Sequence, residues 1–191
     1  MKKKSFIMAL ALVLVFAVAV GGVVAWLTAT TDPVKNTFTV GDINIALTET
    51  TGNNYQVIPG DTQKKDPTVT VEAGSEACYL FVKIDETNNT MKVNGKDVKI
   101  VDYAIATGWT QGDGTNIPAN VYYRSVASLT ADDAIDVVFP VLANDQVTIN
   151  DNVTKRQINA DNQPTLTFTA YAVQQDNIDG GVAGAWRIAS K

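Results

Sequence analysis

Apolar and polar residues alternate one by one along most of the chain after residue 36, which is typical of β-strands with one buried face. The alternation is longest in Ala77–Asp85 and Thr165–Val173. Shorter strands are predicted over Thr37–Leu47, Val69–Val71, Met91–Ile100, Val121–Val126, Ile135–Val141 and Val147–Ile149. The pattern therefore predicts about nine short strands separated by polar turns.

Turn residues set the limits of these strands. Asn94-Gly95 is the strongest hairpin signal, because both central residues of a type I′ turn need a positive φ. The apolar parity changes at Gly41-Asp42, so a bulge or kink is expected within the first strand. In Ile135–Val141 the odd-numbered residues, Ile135 included, are expected to face inward. Pro140 predicts a strand end or a sheet edge, because it lacks a backbone N–H.

Helical spacing of apolar residues occurs only in Asn177–Ser190, where Asn177 is the expected N-cap and three glycines weaken the helix. Short strands followed by one terminal helix predict an all-β fold, an antiparallel β-sandwich of jelly-roll type with a short C-terminal helix. The length of 191 residues leaves room for one such domain, which we assign to residues 36–191.

The N-terminus has the pattern of a signal peptide. Lys2–Lys4 form a positive region, Phe6–Val20 form an unbroken apolar run, and Ala25 is a suitable small residue before a cut. Residues 1–25 are therefore predicted to be removed by cleavage before Trp26. An uncleaved membrane anchor is the alternative, because the apolar run and the residues after it are long enough to span a bilayer. In both cases the domain is exported.

Charge and composition exclude several classes of function. Removal of the leader leaves 12 basic and 20 acidic residues, a net charge of −8. An acidic surface repels nucleic acid and anionic lipid, so neither is an expected partner, and membrane contact is expected only through the leader. The chain has no histidine, which excludes a Ser-His-Asp triad, a Cys-His dyad and an HExxH zinc site. We expect no catalytic residues, no metal site and no cofactor.

Individual residues that could carry chemistry have simpler explanations. Cys78 shares the apolar face of its strand, so we expect a buried small hydrophobe rather than a nucleophile. Asp132-Asp133 and Asp136 lack the spacing of a calcium-binding loop, and solvated surface is the better interpretation. Trp109 and Tyr122-Tyr123 could line a sugar-binding patch, but aromatic residues of a sandwich usually fill the core.

Short motifs near both ends of the chain resemble those of a known family. Gly21–Trp26 followed by Asn36–Ile43 resembles the leader and first block of the TasA and camelysin family of Gram-positive bacteria. Pro59–Thr62 with Lys65–Val69 resembles the second block of that family, and Ala170–Gln174 with Trp186 resembles its C-terminal strand and helix. The matching positions of the two blocks are Asn36, Phe38, Gly41, Asp42, Pro59, Gly60, Asp61 and Pro67.

The resemblance implies an exported jelly-roll subunit of a biofilm-matrix fibre, located in the extracellular matrix or at the surface of a Gram-positive bacterium. It implies release by a SipW-type signal peptidase between Ala25 and Trp26, and head-to-tail assembly of identical copies by donor-strand exchange. Residues 26–35 would then be the donor strand, with Trp26, Leu27 and Val34 as anchors. An accessory matrix protein is a second candidate partner. A flexible stub left by processing is the alternative for residues 26–35.

Two other function classes stay open at this point. A monomeric cell-surface adhesin or binding module could use the same sandwich. A camelysin-like surface metalloprotease is less favoured, because catalytic zinc sites commonly rely on imidazole ligands and the chain has none. Fibre morphology separates the first alternative from a matrix subunit, and a chelator-sensitive peptidase assay separates the second.

The leader generates the first prediction. The secreted form is expected to begin at Trp26, because Ala25 is the small residue placed correctly after the glycine pair. N-terminal sequencing of the exported protein measures this directly. A mature protein that still carries the apolar run would contradict cleavage, and would also contradict assembly through a freed N-terminus.

Overall fold

The computed structural model describes residues 41–52, 55–154, 158 and 161–191. The predictions for the leader, the cleavage site, the donor anchors Trp26, Leu27 and Val34, and the motif positions Asn36 and Phe38 lie outside these residues. The described strands are β1 (Ile45–Thr48), β2 (Thr62–Lys64), β3 (Thr68–Val71), β4 (Cys78–Thr87), β5 (Thr90–Val93), β6 (Lys96–Lys99), β7 (Val101–Asp102), β8 (Thr110–Gln111), β9 (Val121–Val126), β10 (Val137–Pro140), β11 (Gln146–Ile149) and β12 (Thr165–Gln174). A 3₁₀ turn at Ala143–Asp145 and a helix, α1, at Gly181–Ala189 complete the described elements.

One layer of the protein is a four-stranded antiparallel sheet in the order β12-β4-β9-β8. Its centre is the ten-residue pairing of β12 with β4, which runs from Thr165 opposite Thr87 to Gln174 opposite Cys78. Because side chains alternate between the two faces of a strand, β4 presents Leu80 and Ile84 to one side and Phe81 to the other. The predicted period-two strands Ala77–Asp85 and Thr165–Val173 are thereby confirmed.

The facing layer consists of two three-stranded sheets that share bent strands. β1-β3-β10 form one sheet and β2-β11-β7 form the other. β2 continues into β3 through Lys65–Pro67, and β10 continues into β11 through the 3₁₀ turn, so each bent strand belongs to both sheets. β5 and β6 form a separate hairpin, whose Asn94-Gly95 turn has φ values of 51° and 80°. The predicted type I′ hairpin is confirmed.

Apolar side chains form two clusters, one on each side of the four-stranded sheet. The larger cluster lies between the layers and includes Val69, Leu80 and Val147. The smaller cluster lies beneath α1, where the Trp186 ring stands 5.4 Å from Phe81, centroid to centroid. The helix therefore covers the outer face of the sheet. None of the helices in the described ranges has the length and hydropathy that a membrane span requires.

Two details of the sequence prediction are wrong. Ile135 does not face inward but is 76% exposed, because β3 ends at Val71, opposite Val137, and offers no partner to earlier residues of β10. Asn177 is not the N-cap of the helix, since α1 begins four residues later after Gly180. Asn177 itself has a φ of 59°, so the chain turns there before it enters the helix.

Three short strands, β2, β7 and β8, have no counterpart in the prediction. Each has at most three residues, which is too short for an alternating pattern to develop. The expected sheet edge at Pro140 is confirmed, because β10 ends there and pairs only with β3 among the described residues.

Cys78 generates a stability prediction. Its side chain is 0% exposed in the larger cluster, and burial raises the pKa of its thiol to about 11. Cys78→Ser is expected to lower the free energy of unfolding by about 1–3 kcal/mol, because the hydroxyl is buried without a partner. Urea melts provide the measurement, with Cys78→Ala as the control that shortens the side chain without adding a polar group. Equal midpoints for wild type and both variants would contradict burial of this position.

Candidate functional site

Side chains that reach from one layer to the other close one side of the two-layer structure. Trp109 precedes β8, at the edge of one layer, and its indole N–H donates a 2.8 Å hydrogen bond to the carbonyl of Pro140, at the edge of the other. The guanidinium of Arg124 stacks on the Phe139 ring, 4.0 Å from its centroid, and lies 5.5 Å from the Trp109 ring. Trp109 therefore bridges the layers instead of presenting a free aromatic surface, in agreement with the core interpretation.

The opposite side is open and contains a groove with a volume of about 1000 Å³. It lies between the first half of β12 and the inner side of the facing layer. Its lining includes Leu47–Glu49, Tyr55–Val57, Gln63, Lys65, Pro67, Val101, Val147, Ile149 and Gln163–Phe168. This groove is the candidate functional site.

Exposed backbone and exposed apolar surface meet in the groove. Within the described residues β12 pairs only with β4, so no described strand pairs with its other edge. Leu47 stands opposite the fully buried Val69 and therefore faces inward, yet 37% of its surface is exposed. Its exposure results from the groove, because no side chain of the described residues fills the space in front of it.

A buried ion pair stands inside the groove. Nζ of Lys65 lies 2.9 Å and 3.0 Å from the two carboxylate oxygens of Glu49, and Lys65 is only 7% exposed. The hydroxyl of Tyr55 donates a hydrogen bond to the same carboxylate. Nζ also stands over two rings, 4.6 Å from the centroid of Tyr55 and 5.3 Å from that of Phe168 on β12. We call these three residues the Glu49–Lys65–Tyr55 cluster.

The pKa values of the cluster keep Glu49 charged and Tyr55 neutral near pH 7. Burial acts to raise the pKa of Glu49, but hydrogen bonds from Tyr55 and Lys65 outweigh it and lower that pKa below its ordinary value. Burial and the neighbouring Glu49 carboxylate raise the pKa of Tyr55 to about 12. The cluster is therefore a carboxylate held by an ammonium and a phenol.

Asp66 anchors the chain that forms one wall of the groove. Its carboxylate accepts hydrogen bonds from the backbone N–H groups of Thr50 and Thr51, at 2.9 Å and 3.2 Å, and from the hydroxyl of Thr50. Hydrogen bonding by the Thr50 hydroxyl is the main reason that the pKa of Asp66 is well below its ordinary range. The segment after β1 is thus tied to the bend between β2 and β3.

The described motif residues of the second block lie at separate positions between the turn before β2 and the groove. Gly60 has a φ of 76° in the turn before β2, which favours glycine, and a Cβ there would also lie 2.6 Å from Oδ1 of Asp151. The Asp61 carboxylate accepts a 2.9 Å hydrogen bond from the side-chain amide of Gln63, which lines the groove. Pro67 is buried and also lines the groove, whereas Pro59 is exposed in the turn.

The motif residues of the first block that are described lie at the other end of the domain. Asp42 forms a parallel bridge with Ser75, shortly before β4 begins. Gly41 lies against Glu76, whose Cγ would stand 2.6 Å from a Cβ at this position. Regular pairing of β1 starts only at Ile45, and the part of the predicted bent strand that precedes Gly41 lies outside the described residues.

The acidic residues of the loop before β10 are exposed, as the sequence predicts. Asp132 and Asp133 lie on the surface, and Asp136 accepts a 2.9 Å hydrogen bond from the backbone N–H of Ala73. Asp136 therefore ties the loop to the end of β3.

Sequence reasoning did not single out Glu49, Lys65 or Tyr55 as a cluster. Lys65 and Asp66 stand in the stretch that carries the family resemblance, but nothing local indicates their partners. Glu49 is 16 residues from Lys65 and occurs between two threonines, so nothing in its neighbourhood in the sequence indicates a partner. The antiparallel pairing of β1 with β3, which reaches Thr48 opposite Thr68, brings Glu49 and Lys65 close to each other.

Comparisons with known proteins found no matching family model, no matching curated protein and no matching solved structure.

The ion pair generates a prediction on pH dependence. The folded pKa of Glu49 lies below the ordinary value of 4.5, so its charge contributes stability above that pH, and this contribution is lost as the pH falls through the lower folded value. Glu49→Gln is therefore expected to lower the urea midpoint at neutral pH and to have little effect in strong acid. Glu72→Gln, at an exposed position, is the control. A difference between wild type and Glu49→Gln that does not change with pH would contradict the ion pair.

Proposed function

We propose that this chain is an exported, non-enzymatic structural subunit of an extracellular matrix fibre, with a jelly-roll connection of its strands and assembly by donor-strand exchange. The observation that carries the proposal is the groove beside the edge of β12 that has no partner strand among the described residues. The resemblance to the TasA and camelysin family supports the same function, secretion through a SipW-type peptidase, and a place in the matrix or at the surface of a Gram-positive bacterium.

The groove has the two features that strand addition needs. An added strand requires a free backbone edge for hydrogen bonds and pockets for alternate side chains. β12 offers the edge, and the floor beneath it is apolar where Leu166, Val147 and Ile149 line the groove. A strand that occupied this space would also cover the exposed side chain of Leu47. The occupant we propose is residues 26–35 of a second copy.

The first described residues of the domain and the groove lie at opposite ends of β4. The chain enters the described domain at Asp42, which bridges Ser75 near the start of β4. The groove lies along Thr165–Phe168, which pair with Ile84–Thr87 at the far end of β4. Six to nine strand residues separate the two levels, or about 20–30 Å. A donor that leaves from one end and an acceptor at the other favour a head-to-tail contact, which does not close on itself and builds filaments.

The donor segment has chemistry suited to the groove. Residues 26–35 contain the apolar anchors Trp26, Leu27 and Val34 and carry only two charges, on Asp32 and Lys35. Apolar anchors fit the apolar floor, and the low charge limits the cost of burying the strand. Pro33 favours an extended backbone between the donor strand and the domain.

Deletion of residues 26–35 from the mature chain is expected to leave a folded monomer that forms no fibres. The members given for the two clusters of the described residues all lie in the retained part of the chain, so circular dichroism should report the same sheet content. Light scattering and negative-stain microscopy report assembly. Fibres of normal width from the truncated protein would contradict donor-strand exchange.

A matched pair of surface variants tests the acceptor side. Leu47→Lys places a charge in the groove, and Val138→Lys places one on the outer face of β10, where Val138 is already 55% exposed. Fibre formation should be lost in Leu47→Lys and retained in Val138→Lys, while urea melts show both variants folded. Equal assembly of the two variants would exclude this groove as the acceptor. A mature wild-type chain that stays monomeric would favour the adhesin alternative.

A further inference from the structure

The Glu49–Lys65–Tyr55 cluster crosses the groove from one layer to the other. Lys65 starts at the bend between β2 and β3, and its Nζ reaches the ring of Phe168 on β12, 5.3 Å from the centroid. Beyond it, the groove floor at Val101, Val147 and Ile149 is apolar. A strand that lies in the groove along β12 must therefore pass the charged Glu49–Lys65–Tyr55 cluster as well as apolar surface.

The cluster has unused hydrogen-bonding capacity. The Lys65 ammonium has three N–H donors, and its hydrogen bonds within the described residues are with the Glu49 carboxylate. Oε1 of Glu49 accepts from Lys65, Tyr55 and Thr51, whereas Oε2 accepts only from Lys65 among the residues that the structure describes. A donor and an acceptor are thus left beside each other at the groove.

A hydroxyl group matches this pair best. It both donates and accepts, so it can accept from the Lys65 ammonium and donate to the Glu49 carboxylate. A large apolar side chain would remove water from the pair and leave these groups unsatisfied, at a cost in binding. A carboxylate such as that of Asp32 would place a second negative charge beside Glu49.

We propose that the Glu49–Lys65–Tyr55 cluster sets the register of the inserted strand by binding a threonine hydroxyl from residues 26–35 of the next copy. This inference rests on the proposed function. The segment contains Thr28, Thr30 and Thr31, so three alignments of the segment place a hydroxyl on the cluster, and every other alignment places none there. Buried polar groups fix register in other assemblies in the same way, because every shifted alignment leaves them without partners. The cluster is thus a specificity-determining site that rejects segments lacking the hydroxyl.

The test measures fibre growth rates of the full mature chain with Thr28→Val, Thr30→Val or Thr31→Val, each of which replaces the hydroxyl with a methyl group of similar size. One of the three is expected to slow growth about tenfold, the effect of one buried unsatisfied pair, and the other two far less. Thr110→Val, in β8 on the closed side, is the control and should grow at the wild-type rate.

The same substitutions are then repeated in a chain that carries Glu49→Leu and Lys65→Met, where the ion pair is replaced by apolar side chains. The sensitive threonine position is expected to lose its effect in this background, because the ion pair that the hydroxyl would bridge has been removed. If urea melts show that the double variant does not fold, the three threonine variants in the wild-type background decide alone, and equal effects at all three positions would overturn the proposal. An effect of the same size in both backgrounds would overturn the proposal.

The outcomes separate the two levels of the argument. Unchanged growth of all three threonine variants overturns the register proposal and leaves donor-strand exchange standing. Addition of a synthetic peptide of residues 26–35 should cap the groove and stop growth of the wild-type chain, whereas a scrambled peptide should not. Failure of the wild-type chain to form fibres, or of the peptide to stop them, overturns the proposed function and the register proposal with it.

Discussion

The Asp66 carboxylate holds the geometry on which the groove depends. It accepts hydrogen bonds from the backbone of Thr50 and Thr51, and so anchors the chain after β1 at the bend between β2 and β3. β1 leaves its sheet at this bend, and β2 has no partner on that side within the described ranges. Lys65 is the residue before Asp66, so in an extended chain its side chain points to the opposite face. It lines the groove and pairs there with Glu49. One carboxylate thus positions both the opening and the charged pair within it.

The side of the structure at β8 and β10 is closed, whereas the side at β12 is open. This difference supports a function for the groove. Exposed sheet edges pair readily with other chains, so proteins usually cover them. The β8 and β10 side is covered by the Trp109 hydrogen bond to Pro140 and by Arg124 on Phe139. The β12 side has an edge that no described strand pairs with, an exposed Leu47 and a largely buried ion pair. One open edge, in a structure whose opposite side is closed, favours binding of a specific partner strand over nonspecific aggregation.

Prediction from sequence succeeded where a strand is long and paired along its whole length. β4 and β12 have ten residues each, so the alternation of their apolar residues is unambiguous. It failed at Ile135, where the alternation continues past the last residue of β3 that could pair with it. It failed again at Asn177, because the glycines that follow form a turn with positive φ instead of a first helical turn. In the first case the end of the element depended on a distant strand, and in the second on the backbone conformation of glycines. The pattern of apolar residues contains neither.

By itself, the sequence determined the faces of the long strands, the Asn94-Gly95 hairpin and the burial of Cys78, because these follow from the period-two geometry of a strand and from the φ requirement of a turn. The tertiary structure decided which edges are closed and which side chains meet in the groove. Glu49 and Lys65 become partners through the pairing of β1 with β3, and such pairing depends on the relative placement of whole strands. Local pattern contains no information on that placement, since any arrangement of the same strands would show the same alternation.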